Sequence, residues 1–524
     1  MKLRELVDGI GELLAESSGD LKISQITHDS RKVQHGSMFV AIEGRHRDGH
    51  NYVGCATQLG AVCILTNQPE KVPFSIPICR VDDPRKAMAL MARRLYDHPD
   101  QKIKIIGVTG TNGKTTTTYL TSSLLRRLGT CGRIGTLSYF NGHSEERATR
   151  TTPESSEFYR CLGEMVSNRC AYAAVEISSH GLMFDRVLGL ELQYGIFTNL
   201  SRDHLDFHGN MESYFQAKHR QFSLLRRGGT AILNWDDPYA KRIVVPEGRH
   251  TIRFGQSEEA DLRFEIGELG IKGASFRVNF KGDTHDFRIP LMGEHNVYNF
   301  TAALAVALCE GRKLSEIAQE TGDIRAVPGR LELIDVGQTF GVAIDFAHTP
   351  DALQSVLRAC AETNPKRMIT VFGAGGDRDH SKRPEMGAIA GRYSDIVILT
   401  TDNPRTEDPE VIMDMVHKGI KRPLGPGFIR QTDRRQAIHA AIHMAEEGDL
   451  ILIAGKGHET TQEIHGRHYP FSDWEVALGF IQQRIRAKPL REDRVDRDRT
   501  RPPATSPRNP ASESATPGKG ASDD

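Results

Sequence analysis

A chain of 524 residues is too long for one hydrophobic core, so about two to four domains are expected. Lys plus Arg and Asp plus Glu each number 68, and the zero formal net charge excludes a global pull toward nucleic acid or an anionic lipid surface. No run of about 18 apolar residues exists, so membrane insertion is not expected, and the composition predicts a soluble globular protein.

The N-terminal MKLRELVDGIGELLAESSG carries acids throughout and predicts an amphipathic first helix, not a secretory signal. The eight scattered cysteines form no CxxC pair and no zinc-like spacing with His, which predicts packed, reduced thiols in a cytoplasmic protein. Two joints divide the chain: YDHPDQK at residues 96–102, and RAVPGRLE at 325–332, where Pro328 and Gly329 break a helical stretch. The predicted domains are residues 1–98, 99–328 and 329–487. From Lys488 onward charge, Pro, Ser and Gly dominate, so residues 488–524 are expected to form a disordered tail.

The body alternates short β-rich apolar runs with helical patterns, which predicts an α/β fold with largely parallel sheets. Polar clusters follow the predicted strands. TGTNGKT follows IIGV, Glu176 ends YAAVEI, TNLSRDHLD follows YGIF, GAGGDRD follows MITVF, TDNPR follows IVILT and AGKGHE follows LILI. Ligands of open α/β sheets bind at the carboxyl ends of strands, so two sheets with facing binding edges and a cleft between them are expected.

In GVTGTNGKTTTT, residues 107–118, Gly110 and Gly113 permit a sharp turn into a helix with Leu120, Leu124, Leu125 and Leu128 on one stripe. Free N–H groups and the dipole at that helix start favour an anion. Gly110, Thr111, Asn112, Gly113, Lys114, Thr115 and Thr116 are therefore candidates for nucleotide binding, with Lys114 on the β/γ-phosphates and the Thr115 hydroxyl on Mg²⁺. The spacing departs from the usual loop, since Val108 stands where the first glycine belongs. Glu176 and His204 each lie near a strand end, and carboxylate and imidazole suit a divalent metal beside phosphates. A lone histidine is more often structural, and a Gly-rich turn with a surface lysine is the plainer alternative for the loop.

GTNGKTTT, EISSHG, TNLSRDHLDFHG, GEHNVYN and DFAHTPDAL, in this order, resemble the Mur ligases, ATP-dependent amide-forming enzymes of peptidoglycan precursor synthesis, over roughly residues 20–485. The resemblance implies a central P-loop-type parallel-sheet domain, a C-terminal Rossmann-like domain and a smaller N-terminal α/β domain. THDSRKVQHGSMFVAIEG and TDNPR narrow it to members that add a diamino acid to UDP-N-acetylmuramoyl-L-alanyl-D-glutamate (UDP-MurNAc-L-Ala-D-Glu), with DNPR associated with meso-diaminopimelate and not lysine. It also implies an acyl-phosphate intermediate. Phosphoryl transfer makes the carboxylate reactive, and cations must neutralise the approaching anions.

The family's functional positions carry over residue by residue. Lys114, Glu176, His204 and Lys218 would be catalytic, with two Mg²⁺ ions held by Thr115, Glu176, His204 and Lys218, the last as a CO₂-derived carbamate. Carbamylation requires a neutral amine, so burial must lower the lysine pKa. Asn296, Asn299 and Arg330 match nucleotide contacts, while Asp345 would hold either ribose or the Arg330 region; Phe346 stands where relatives usually have Tyr. Ser30 matches a uridine-nucleotide contact, and Thr151, Thr152, Ser178 and Arg186 match contacts to the muramoyl-dipeptide. Phe184 departs from relatives that place a hydrogen-bonding side chain there. For diaminopimelate, Arg405 offers a planar fork to the far carboxylate. Asp402 is a turn former or an ammonium partner, and Asn403, Arg383, Gly455 and Glu459 complete the pocket. A monomer is expected. The rival readings are a lysine-adding sister ligase, a folylpolyglutamate-synthase-like ligase and a non-catalytic nucleotide-binding protein.

Overall fold

The computed structural model describes residues 1–44, 47–73 and 75–487. The expected tail at 488–524 lies outside the described residues. Three sheets follow one another along the chain. The first runs in the order Glu12–Leu13, Ile78–Arg80, Ala61–Thr66, Ser37–Val40, Gln25–Thr27 and is parallel except for the first pair. The expected long first helix is corrected. Only Leu3–Val7 is helical, because the chain turns at Gly9, φ 69°, and enters the edge strand Glu12–Leu13.

The central sheet has eleven strands. Its parallel core places Cys131–Ile134, Tyr172–Glu176, Lys104–Thr109, Leu192–Phe197, Leu225–Asn234 and His250–Gly255 side by side. Antiparallel hairpins extend both edges. The near-continuous Val/Ile/Ala character of the core strands follows from burial on both faces. On one face the helix Glu294–Cys309 packs against the helix Lys114–Leu125 and is buried almost all round, as its Val-Phe-Ala-Leu composition requires. The Lys114–Leu125 helix buries Leu120, Leu124 and Leu125 as its spacing predicts. Leu128 lies past the helix end and is 42 % exposed, so it is not part of that stripe.

Register fixes the functional edge. Glu176 pairs with Val108, and Thr109 pairs with Phe197. The phosphate-type loop, the Glu176 carboxylate and the loop after Phe197 therefore emerge together. The third sheet repeats the device with parallel strands Gly341–Asp345, Leu450–Ala454, Met368–Phe372, Ile396–Leu399 and Phe428–Arg430, preceded by the antiparallel edge Glu332–Leu333. Asp345 pairs with Ala454 and Phe372 with Leu399, so the loops that follow share one rim.

The N-terminal and central sheets share one apolar cluster. Met88 and Met91 of helix Pro84–Leu95 belong with Phe158 and Leu162 of helix Ser155–Ser167, and those helices pack together. Burying each such side chain contributes about 1.5–3 kcal/mol, so this joint is a packed seam. Six of the eight cysteines are buried and none is paired. No helix among the described residues is long and apolar enough to cross a membrane.

Candidate active site

The loop after Lys104–Thr109 is built from backbone. Gly113 has φ 86°, and a Cβ there would meet Asn299 Oδ1 at 2.3 Å. Only glycine permits both the left-handed turn and the approach of the Glu294–Cys309 helix. Asn112 N donates to Asn199 Oδ1 at 2.9 Å, and Thr198 Oγ1 donates to Asn112 O at 2.6 Å. Thr111 Oγ1 lies 3.3 Å from the Tyr214 hydroxyl. Gly113 caps the helix start, and Lys114 Nζ donates to Gly110 O and Thr111 O at 2.8 Å each, folded back over the loop. Burial lowers the Lys114 pKa, and Arg330 lowers it further; Glu176 and Asp203 oppose. Thr116 is buried in the first helical turn.

Thr115 Oγ1 donates to Glu176 Oε2 at 3.0 Å. Thr136 adds its amide to Glu176 Oε1 at 2.9 Å and its hydroxyl to Oε2 at 3.0 Å. A Cβ on Gly135 would meet Glu176 Oε1 at 2.2 Å, so the carboxylate lies flat against that turn. Thr115 and Glu176 supply hard oxygen donors at a helix start, which fits Mg²⁺, an ion that takes few protein ligands beside phosphates. Among the described residues no three His, Cys, Asp or Glu side chains gather as a metal cage. His204 has φ 53°, pairs with Asp203 at 3.4 Å and stands 5.0 Å, ring to ring, from His180. Glu176 is instead held by Thr115 and Thr136.

Lys218, on helix Met211–Ser223, is 1 % exposed and donates Nζ to Gly110 O at 2.7 Å. Burial pushes its pKa well below the ordinary lysine value, and the nearby Lys114 cation adds to that.

The muramoyl-contact candidates form one chain of bonds around the Glu176 strand end. Thr151 Oγ1 lies 3.1 Å from Thr136 Oγ1. Thr152 Oγ1 donates to Glu176 O at 2.8 Å and lies 3.1 Å from Ser178 Oγ, which caps the next helix at Gly181 N. Arg186 donates to Thr152 O at 3.0 Å and pairs with Glu154 at 2.9 Å. Glu154 also holds Arg150 at 3.0 Å and Arg85 at 3.3 Å. Burial alone would raise the Glu154 pKa, but Arg186, His28, Arg85 and Arg150 together hold it below the usual range. One carboxylate facing three guanidiniums leaves net positive charge where the N-terminal helix Pro84–Leu95 meets the central sheet. The Arg85 and Arg186 guanidiniums both stand against the Phe184 ring, with Cζ atoms 5.3 Å and 5.6 Å from its centroid. Ser30 opens a short 3₁₀ turn capped by Asp29, which accepts from Arg31 N.

At the second joint Asn296 and Asn299 are buried and bonded to each other, Nδ2 of Asn299 to Oδ1 of Asn296 at 3.2 Å. Asn296 Nδ2 donates to Met292 O at 2.8 Å, so much of its amide serves the loop itself. Asp345 accepts from Leu331 N at 2.7 Å and from Ala347 N at 2.8 Å, thereby fixing the Arg330 turn. Burial raises its pKa, and Arg330 opposes that. The Arg330 guanidinium lies 5.2 Å from the Phe346 ring centroid, a contact that needs no hydroxyl.

On the C-terminal rim Asn403 Nδ2 donates to Glu459 Oε2 at 2.9 Å. Fully buried Lys456 spends its three protons on Asn403 Oδ1, Glu459 Oε2 and Thr461 O, at 3.0, 2.8 and 2.8 Å. Asp402 Oδ2 is buried without a hydrogen-bond partner, and a Cβ on Gly455 would meet it at 2.3 Å. A buried carboxylate oxygen left unpaired is a place for a ligand ammonium. Arg405 donates Nη1 to Gly376 O at 2.7 Å. Arg383 is expected to line the same pocket. It is fully buried and its fork grips Glu407 at 2.8 and 2.7 Å.

The two rims face one another. Asp203 acts electrostatically on both Lys382 and Asp351, as Arg330 does on Lys114. Several residues of this cleft escaped selection from sequence. Glu154, Asn199 and Lys456 sit inside motifs whose other members were chosen, whereas Thr136 and Glu407 carry no local signal.

Three family models match successive stretches of the chain. The Mur ligase family catalytic domain matches residues 22–96, the Mur ligase middle domain 108–307, and the Mur ligase glutamate ligase domain 329–457. A UDP-N-acetylmuramoyl-L-alanyl-D-glutamate–2,6-diaminopimelate ligase of Clostridium acetobutylicum is 39 % identical over 487 residues, covering 92 % of this chain and 100 % of the relative. The chain belongs to the Mur ligase family. A ligase of the same description from Fusobacterium nucleatum is 40 % identical to this Mur ligase over 477 residues, covering 90 % and 97 % of the two chains. A solved structure of that description matches with TM-score 0.65 and 30 % identity over 93 % of this chain and 99 % of the other. The MurF ligase of Thermotoga maritima in complex with ADP shares the fold, with TM-score 0.61 and 18 % identity over 90 % and 99 % of the chains.

Proposed function

We propose that this Mur ligase joins meso-diaminopimelate to the D-glutamate of UDP-MurNAc-L-Ala-D-Glu at the expense of ATP, in peptidoglycan precursor synthesis. The observation that carries the reading is the facing of two strand-end rims. One holds the anion-binding loop and Glu176; the other holds an unpaired buried carboxylate oxygen, Asp402 Oδ2, within reach of the Asn403–Lys456–Glu459 network. A phosphoryl donor on one rim and an amine acceptor on the other suit bond formation, which a nucleotide switch does not need. We place the domain limits near residues 98 and 328, and the chain in the cytoplasm as a monomer.

The γ-phosphoryl group of ATP passes to the D-glutamate carboxylate, giving an acyl phosphate and ADP. The amine then attacks the acyl carbon, and the tetrahedral intermediate releases phosphate as the amide forms. Free amides of the loop and Lys114 bind the phosphate oxygens. Thr115 and Glu176 would hold Mg²⁺, which screens phosphate charge when bound. His204 and a carbamate on Lys218 are the proposed holders of a second ion, a role supported by the depressed, buried Lys218 amine. Arg186 and its neighbours Arg85 and Arg150 attract the anionic nucleotide-sugar dipeptide, and Asp402 and Glu459 receive the distal ammonium of the acceptor. The test is an assay with ATP, Mg²⁺, the UDP-dipeptide and diaminopimelate. ADP and UDP-tripeptide should appear in equal amounts, and ATP hydrolysis without a new amide would contradict the reading.

A further inference from the structure

Arg405 is clasped by the hairpin of Thr461–Ile464 and Arg467–Pro470. Its backbone is left-handed, φ 53°. Its amide donates to Glu463 O at 3.1 Å, and its carbonyl accepts from His465 N at 2.6 Å. The Glu463 amide in turn donates to Asn403 Oδ1 at 2.9 Å, so one residue holds both Asn403 and Arg405. The Glu463 carboxylate lies against the Nε flank of the Arg405 guanidinium, Nε–Oε2 3.2 Å. On the other side Nη1 donates to Gly376 O at 2.7 Å. Among the described residues Nη2 donates no hydrogen bond.

A guanidinium carries five N–H donors in a rigid fork. A carboxylate can take two of them from the Nε flank or from the Nη1–Nη2 end. Glu463 stands at the Nε side of the first position. The second is formed by Nη2 and by Nη1, which also donates to Gly376 O.

We propose that Glu463 is a positioning residue for the amino-acid acceptor: it holds Arg405 so that only the Nη1–Nη2 end of the fork meets the distal carboxylate of a zwitterionic substrate. The inference rests on the acceptor reading above and adds the residue that orients its recognition group. Without the Glu463 side chain the long arginine regains rotamer freedom and its free end loses alignment.

The experiment compares Glu463→Ala and Glu463→Gln in the full chain, with saturating ATP, Mg²⁺ and UDP-dipeptide and varied meso-diaminopimelate. Glu463 is partly exposed on a hairpin, so neither change removes core packing. Glu463→Ala should raise the diaminopimelate KM about five- to tenfold while kcat and the other two KM values stay within about twofold. Glu463→Gln, whose amide oxygen still faces Nε, should remain within about twofold of the wild type in every constant. An unchanged or lowered diaminopimelate KM in the alanine variant would overturn the proposal. So would an equal rise in all three KM values, or a glutamine variant as impaired as the alanine one. Wild-type protein that forms no product with diaminopimelate would overturn the acceptor reading itself, and the proposal with it.

Discussion

Lys218 Nζ and Gly110 O are 2.7 Å apart, which places a buried amine directly beneath the anion-binding loop. Burial and Lys114 hold that amine's pKa well below 10.5. Protonation competes with carbamate formation, so a depressed pKa keeps the amine neutral, and open to CO₂, at lower pH than a free lysine allows. Lys218→Ala should abolish turnover while ATP binding measured by calorimetry stays largely intact. In the wild type, carbamate-dependent activity should fall as pH drops through the folded-state pKa, and added bicarbonate should oppose the loss. Retained turnover in Lys218→Ala would remove the carbamate from the mechanism.

Arg383, fully buried, and Glu407 form a two-pronged pair in the C-terminal domain. The hydrogen bonds from Arg383 bring the Glu407 pKa down to about 2. A lowered carboxylate pKa contributes stability that is present above the unfolded value and lost as pH falls through the folded one. Glu407→Gln should therefore cost about 1–3 kcal/mol at pH 7, because it leaves a buried guanidinium without its anion. The gap to the wild type should close between about pH 4.5 and about pH 2 in denaturant melts. A constant gap across that window would contradict the assignment.

The Arg85 and Arg186 guanidiniums both stand against the Phe184 ring at the seam between the first two domains. Cation–π contacts are worth about 0.5–2 kcal/mol, so Phe184→Leu should raise the KM for the UDP-dipeptide by about three- to tenfold, with the ATP KM unchanged. Phe184→Trp, which keeps an aromatic face, should recover most of the loss. Equal changes for both substrates would mean that the ring serves folding alone.

Much of this cleft was legible because its chemistry is local in sequence. Gly110 and Gly113 are needed within one turn, Lys114 and Thr115 must open the following helix, and a strand end announces Glu176. Tertiary pairing hides the remainder. Thr136 meets Glu176 across 40 residues, Asn403 meets Glu459 across 56, and no spacing rule links them. Arg383 likewise meets Glu407 across 24 residues. The first helix was overextended because acid and apolar spacing persists past Gly9, where the backbone turns away.

Asn403 ties Glu459, which accepts from its Nδ2, to Glu463, the residue beside Arg405 whose amide donates to its Oδ1. Arg405→Lys replaces a planar fork by a point charge, so the diaminopimelate KM should rise by about one to two orders of magnitude, with the ATP KM within about twofold. Equal effects on both substrates would remove Arg405 from acceptor recognition.

The central claim is that one cavity activates a carboxyl group with ATP and delivers a diamino acid with a zwitterionic far end. Tripeptide formation measured with meso-diaminopimelate and with L-lysine, under the same ATP, Mg²⁺ and UDP-dipeptide, tests it most directly. The account predicts a kcat/KM at least about a hundredfold higher for diaminopimelate, since a lysine leaves Arg405 without a carboxylate. Equal rates, or a preference for lysine, would contradict it.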